Sequence, residues 1–258
     1  TRYACKMATG SGKTTVMGML AAWSILNKVA SRQDKRFSDG VLIICPNITI
    51  RDRLRELDPA AGEASLYRTR DLVPPAMMPL LHRGRLMVTN WHVFEPQATQ
   101  GVGGASAKVT RAGVPVETTE TIIIGDRNTT ARGSRYMTPE GYRAFTSNPD
   151  VFVKHEELDD AGTVRKAVIY TRRWVESDTA LLSRVLGREI GGKQNIFVMN
   201  DEAHHAYRIR QSSEDESDDE SLLGTAEDDD EMAKEATVWV DGLDRVHKHR
   251  GINFCVDL

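Results

Sequence analysis

The residues best equipped for chemistry fall in two short stretches, Met7-Ala8-Thr9-Gly10-Ser11-Gly12-Lys13-Thr14-Thr15 and Asp201-Glu202. A glycine-rich bend that leads through Lys-Thr into a helical pattern has the form of a phosphate-binding P-loop. Gly10 and Gly12 allow backbone conformations and close approaches that a Cβ would obstruct. Backbone N–H groups of Thr9 to Thr15 can then turn inward and, with the start of the next helix, cradle an anion. Lys13 would reach the outer phosphates as a point charge, and the Thr14 hydroxyl would ligate Mg²⁺. Asp201 and Glu202 close an apolar run, Ile196 to Asn200, where the Asp could help to hold Mg²⁺ and the Glu could polarise an attacking water. The strict pattern G-x-x-x-x-G-K-[ST] asks for glycine at position 7, where this chain has Met7. A chance glycine turn or two carboxylates at a strand end is the bland alternative for each stretch alone. The pair favours a nucleotide site.

The elements that must position these groups are legible in outline. Arg2 to Met7 reads as a short extended run feeding the bend. From Lys13 onward, Val16, Met19, Leu20, Trp23 and Leu26 recur at helical spacing with apolar residues between them, which predicts a helix buried on most sides. Asp34 to Gly40 reads as a loop. Val41 to Cys45 is a continuous apolar run stopped by Pro46, as in a parallel strand covered on both faces. Asn47 opens a cap-like start to a helix ending near Leu57, with Arg51 and Arg55 sharing one face. Arg85 to Asn90 predicts a third strand. Strand, P-loop, helix, strand is the opening of an α/β sheet.

Between about Glu95 and Asn195 the character changes. Gln100 to Gly113 is rich in Gly, Ala and Ser, and reads as loop. Val114 to Ile124 alternates as a strand that a hairpin could pair, and Val168 to Tyr170 suggests another. Leu181, Leu182, Val185, Leu186 and Ile190 follow an amphipathic helical pattern. A structureless stretch of that length inside a compact domain is uncommon, so 96–195 is predicted to be an inserted, partly β subdomain. Ile196 to Asn200 returns to a buried-strand pattern, Glu231 to His249 is helical in pattern, and Ile252 to Leu258 reads as one more core strand. The expected organisation is α/β with a mainly parallel central sheet, 1–95 and 196–258 forming one domain around the insertion.

Composition is that of an ordinary soluble globular protein, 40% hydrophobic and 28% charged over 258 residues. No apolar run reaches the about 18 residues of a transmembrane helix. Cys5, Cys45 and Cys255 each sit in a short apolar run and are too scattered for a zinc pattern, so buried, reduced thiols and a cytoplasmic location are expected. The charge is uneven. Glu214-Asp215-Glu216, Asp218-Asp219-Glu220 and Glu227-Asp228-Asp229-Asp230-Glu231 hold eleven carboxylates with no base among them; the net charge is −3, and setting those eleven aside leaves +8. The tract at 211–231 reads as a mobile acidic loop too charged to pack. A basic body suits either a polyanionic partner or an ordinary solvated surface. The loop could compete with that partner.

The two stretches also carry a family resemblance. Asp201-Glu202-Ala203-His204 is the DEAH form of helicase motif II, and Ala8-Thr9-Gly10-Ser11-Gly12-Lys13-Thr14 looks like motif I. Together they resemble superfamily 2 helicases and DNA translocases. Met-Ala-Thr-Gly-x-Gly-Lys-Thr, here Met7 to Thr14, is a form seen in the motors of restriction enzymes. Thr89-Asn90-Trp91-His92 and Asn200-Asp201-Glu202-Ala203-His204-His205-Ala206-Tyr207 are similar to the Res subunits of type III restriction enzymes. The resemblance spans both ends of the chain and not the insertion.

What it implies is a RecA-like domain that binds and hydrolyses ATP with Mg²⁺. Lys13 and Thr14 would serve phosphate and metal, Asp201 would hold the metal, Glu202 would be the catalytic carboxylate, and His204 would couple nucleotide state to neighbouring motifs. Pro46, Asn47 and Arg51 fall where motif Ia lies, and Thr89 and Asn90 where motif Ib lies; both would touch the nucleic-acid backbone without reading sequence. A solvated helix face is the alternative for Arg51 and Arg55, and Trp91 is expected to pack rather than stack on a base. The implied partners are double-stranded DNA, a second RecA-like domain with an arginine finger, and a nuclease domain or modification subunit. The family places Ser-Ala-Thr after a strand such as Ile252 to Leu258, so a motor fragment truncated at its C-terminus is expected. An arginine finger is worth roughly 10³–10⁵ in GTPase turnover, so this chain alone should bind nucleotide and hydrolyse it feebly. An RNA helicase motor shares both motifs, and a non-catalytic nucleic-acid-binding platform is the reading from another class.

Overall fold

The structure, a computed structural model, describes residues 1–8, 10–98, 113–125, 135–203 and 226–258, with backbone alone at 226–233. Thr9, His204 and acidic residues 211–225 lie outside the described residues, as does most of the predicted Gly/Ala/Ser loop. Two compact units are present, Thr1–Glu95 with Asp178–Leu258, and Pro96–Ser177. The second is thus inserted in the first, as the change of character near Glu95 predicts, but it ends at Ser177 and not at 195.

In chain order the elements are β1 (Arg2–Ala4), α1 (Lys13–Ala30), β2 (Gly40–Cys45), α2 (Ile48–Arg53), α3 (Leu66–Thr69), α4 (Met78–Leu81) and β3 (Arg85–Asn90). The second unit holds β4 (Gly113–Ile124), β5 (Arg135–Met137), α5 (Pro139–Thr146), β6 (Val151–Leu158) and β7 (Val164–Glu176). The first unit resumes with α6 (Asp178–Leu186), β8 (Ile196–Asn200), α7 (Ala226–Arg250) and β9 (Ile252–Asp257).

The first unit is an α/β fold around a five-stranded sheet ordered β1-β9-β8-β2-β3. Each of its pairings is parallel, so all five strand C-termini lie along one edge. Every residue of β2 is buried, as its unbroken apolar run requires. The period of two sorts its side chains between layers. Val41, Ile43 and Cys45 join Met17, Ala21 and Ile25 of α1 in one core. Leu42 and Ile44 join Leu181, Leu182 and Val185 of α6, with Trp239 and Val246 of α7, in the other. The helix α6 therefore packs within the parallel-sheet unit, whereas the sequence reading put it in the insertion. Its amphipathic pattern announces a buried face but not the surface that buries it.

Of three other expectations, one is narrowed and two change. Helix α1 is buried or half-buried along most of its length, but it keeps one open stripe: Met19 is 55% and Trp23 49% exposed, opposite the i, i+4, i+8 set Met17, Ala21 and Ile25 that faces the core. Trp23 instead meets Phe37 edge-on, ring centroids 4.9 Å apart. The acidic stretch from Glu227 to Glu231 falls in α7 and not in a loop; carboxylates suit the positive end of a helix dipole. Cys5 is exposed, just past β1, while Cys45 and Cys255 are buried as expected. Burial pushes the Cys45 thiol up to about 11 and that of Cys255 up to about 12.

The second unit is a mixed four-stranded sheet ordered β5-β4-β7-β6. Strand β4 pairs with the distant β7 antiparallel and with β5 parallel. The local hairpin is β6–β7; Asp159 Oδ1 pins its turn by accepting from Ala161 N at 3.0 Å and Thr163 N at 2.8 Å. Ile122, Ile124, Tyr142, Ala167 and Ile169 form its small core. No helix among the described residues is long and apolar enough to cross a membrane.

Candidate functional site

The glycine bend leaves the C-terminal end of β1, whose pairing with β9 is extended by Cys5 N donating to Asp257 O at 2.7 Å. Ser11 tightens the bend: its N–H and Oγ both reach Ala8 O, at 3.2 and 2.6 Å. Gly10 and Gly12 have φ of 79° and 92°, values that an L side chain adopts only at a cost. Space is not the constraint, because a Cβ built on either would meet no atom within 4 Å. Gly12 is also the N-cap of α1 and offers no side-chain cap, so it supplies no side-chain oxygen to the first-turn N–H groups. Gly10, Ser11 and Gly12 are exposed, and Lys13, Thr14 and Thr15 are half-buried.

Strand β8 delivers the carboxylates to the same edge of the sheet. Only β9 separates β8 from β1, and Asp201 N is held by Ile44 O of β2 at 2.8 Å. Lys13 Nζ donates to Glu202 Oε1 at 2.8 Å and lies 3.7 Å from Asp201 Oδ1. The three side chains differ in exposure: Asp201 3%, Lys13 17%, Glu202 35%. Burial raises the Asp201 pKa, with the Glu202 charge acting the same way, against the lowering effects of Lys13 and Arg53. Glu202 has φ of 54°, a left-handed conformation costing about 1–3 kcal/mol in a non-glycine residue and concentrated at functional sites.

A buried polar network fixes these strands to one another. Arg2 Nε of β1 donates to Asp257 Oδ2 at 2.7 Å. Asn200 Nδ2, next to Asp201, donates to Asp257 Oδ1 at 2.8 Å and to Cys255 Sγ at 3.2 Å. Trp239 Nε1 of α7 donates to Asn200 Oδ1 at 3.1 Å. The strand carrying the bend and the strand carrying the carboxylates are thereby tied through β9. Sequence reasoning missed Asn200, Asp257, Trp239 and Arg53; the one local signal was an Asn ending an otherwise apolar run, Ile196 to Asn200.

The residues expected at nucleic-acid contacts differ in exposure and partners. Asn47 is exposed, but its Oδ1 accepts from Ile50 N at 2.9 Å and caps α2. Arg51, half-buried, donates to Asp52 Oδ1 at 2.9 Å, and Arg55 approaches the same carboxylate at 3.5 Å. Pro46 is half-buried. Thr89 and Asn90 are buried, 3% and 5% exposed, because β3 stays between its layers at its C-terminal end. Trp91 packs as expected, 6% exposed and with its ring 3.6 Å from that of His92.

Among the described residues no group of three or more His, Cys, Asp and Glu could hold a metal ion by itself. Comparison with protein-family models, with curated proteins and with solved structures finds no match.

Proposed function

We propose that the chain is a RecA-like P-loop domain that binds ATP with Mg²⁺ and belongs to a DNA-translocating motor of superfamily 2 type, the Res motor of type III restriction enzymes being the finer reading. The observation that carries it is the meeting of Lys13 with Asp201 and Glu202 across 189 positions of sequence. A chance glycine turn has no reason to bring its lysine to two carboxylates at a neighbouring strand end. Ligand sites in open parallel sheets lie at this edge.

The residues present fit the group. Gly10 and Gly12 leave open space where a phosphate would sit, and the uncapped start of α1 offers N–H donors. Thr14 and Asp201 would hold Mg²⁺, a donor set of one hydroxyl and one carboxylate that suits a metal completed by water and phosphate oxygens. The chemistry supplied by the bound pair is charge neutralisation on the phosphates. Lys13 would exchange its carboxylate partners for an outer phosphate, and Glu202 could then hold the proton of an attacking water. Desolvation by burial raises the Asp201 pKa against the pull of Lys13 and Arg53; a further cation beside it would act against that rise. Thr9 and His204 complete the motifs in sequence and lie outside the described residues.

Calorimetry with ATP·Mg²⁺ tests the reading. The unmodified chain should bind and Lys13→Ala should not; equal affinity in that variant would falsify the assignment. The choice of nucleic acid is tested by comparing ATPase stimulation by double-stranded DNA and by RNA, in the chain joined to its second RecA-like domain. DNA should stimulate and RNA should not.

A further inference from the structure

At the opposite edge of the parallel sheet lies a cleft that the nucleotide reading does not use. It has a volume of about 370 Å³ and is lined by Lys28, Val29, Arg32, Asp39, Arg83 and Lys193. Lys28 comes from the C-terminal end of α1 and Arg32 from just past it, Asp39 precedes β2, Arg83 precedes β3 and Lys193 precedes β8. Along α1 the cleft is about 22 Å from Lys13, at 1.5 Å per residue. Four cations face one carboxylate.

The partners of these groups leave a surplus. Lys193 Nζ pairs with Asp39 and reaches Arg83 O at 3.4 Å. Lys28 Nζ donates to Asp34 O at 2.8 Å, and the Asp34 carboxylate is turned to Arg36. Neither the Arg32 nor the Arg83 guanidinium has a hydrogen bond or ion pair among the described residues. Lys28 and Arg32 suit a helix C-terminus on dipole grounds. Arg83 and Lys193 arrive from two other connections, so the helix end does not account for the cluster.

We propose that this cleft binds a phosphate group. Guanidinium forks match phosphate oxygens in pairs, which an ammonium cannot do. A dianion between Arg32 and Arg83 would neutralise the two unpaired charges and leave Lys193–Asp39 intact. Val29 is the one apolar residue of the lining. The phosphate can be a free ion or part of a nucleic-acid backbone; the chemistry is shared.

The test is calorimetry in a Lys13→Ala background, which removes the lysine from the other phosphate site, with inorganic phosphate and with a short DNA oligonucleotide at constant ionic strength. Arg32→Gln with Arg83→Gln should lower the affinity for phosphate at least tenfold without changing the circular-dichroism melt, since both residues are exposed. Parallel loss of oligonucleotide binding identifies the backbone as the source, and unchanged oligonucleotide binding identifies the free ion. If Lys13→Ala does not fold, Lys13→Met keeps the aliphatic stem and serves instead. A drop of less than tenfold for both ligands, or no binding of either at millimolar concentration, overturns the proposal. The outcome is independent of whether Lys13 binds ATP.

Discussion

The two edges of the parallel sheet are made by the same strands, yet they treat charge in opposite ways. At the C-terminal edge one lysine is held between two carboxylates, one of them buried. At the N-terminal edge four cations surround a single carboxylate, and two guanidiniums lack partners among the described residues. An edge whose charges are paired with one another, one of them desolvated and one on a strained backbone, is organised for chemistry that rearranges charge. An unmatched, solvated edge is organised to receive charge from outside. Perturbing each edge should therefore give effects of different size and sign.

The largest effect belongs to Glu202. If its carboxylate accepts the proton of water, Glu202→Gln should lower single-turnover ATP hydrolysis about 10²–10⁴-fold while leaving ATP affinity within a small factor. Radiolabelled ATP with enzyme in excess measures both. Loss of binding equal to the loss of turnover would make Glu202 a structural partner of Lys13 and nothing more.

Lys13 and Asp201 come next. Lys13→Ala leaves Asp201 buried without its nearest cation and should destabilise the fold by about 1–3 kcal/mol. Asp201→Asn should do the reverse and raise Tm by a few degrees, because it removes a charge that burial disfavours. The sign follows from the raised pKa. The folded state prefers the protonated carboxyl, so the penalty is absent below the unfolded pKa near 3.9 and develops as pH rises through the folded value. The stabilisation by Asp201→Asn should accordingly shrink as pH falls, and grow in the Lys13→Ala background. Denaturant melts of the four combinations across pH measure this coupling. A destabilising Asp201→Asn would mean that the Lys13 pair outweighs the burial.

How much of this difference was legible in the sequence depends on how local each feature is. The glycine bend, the strand Val41 to Cys45 and the pair Asp201-Glu202 are set by neighbouring residues, and the structure has the strand and the bend where the pattern puts them. The helix Asp178–Leu186 was legible as a helix, but its sheet partner was not, since amphipathicity reports a buried face and not its cover. Thr89 and Asn90 are expected at a contact only through the resemblance, which places motif Ib there; their burial is decided by the layers around β3. Asn200, Asp257 and Trp239 are joined over 39 to 57 positions of sequence, and no local signal pairs them. The cleft at the far edge draws its basic residues from three separate segments, around 28–32, 83 and 193, each unremarkable on its own.

Gly12→Ala gives a smaller effect that tests geometry and not charge. With φ of 92° and no atom near the new Cβ, the cost is conformational alone, about 1–2 kcal/mol. Differential scanning calorimetry should show it as a Tm lowered by a few degrees, accompanied by weakened ATP binding. Gly242→Ala is the control in the fold. There a Cβ would lie 2.5 Å from Phe94 Cγ, so overpacking should lower stability by about 1–3 kcal/mol and leave ATP affinity alone.

The smallest effect should come from the unmatched edge, and its sign is what matters. Arg32→Gln with Arg83→Gln removes no ion pair found among the described residues, so the free protein should change by no more than about 0.5 kcal/mol. Relief of repulsion among Lys28, Arg32, Arg83 and Lys193 favours a slight gain. That gain should be present at low ionic strength and vanish by about 0.15 M salt, where the Debye length is about 8 Å. Lys13→Ala, by contrast, should remain destabilising over the same range, since a buried pair is screened less than an exposed cluster. Melts of both variants across a salt series therefore separate the two edges directly. A loss of stability from the arginine pair that persists at high salt would show that these guanidiniums are structural after all, and the contrast between the edges would fail at its weaker end.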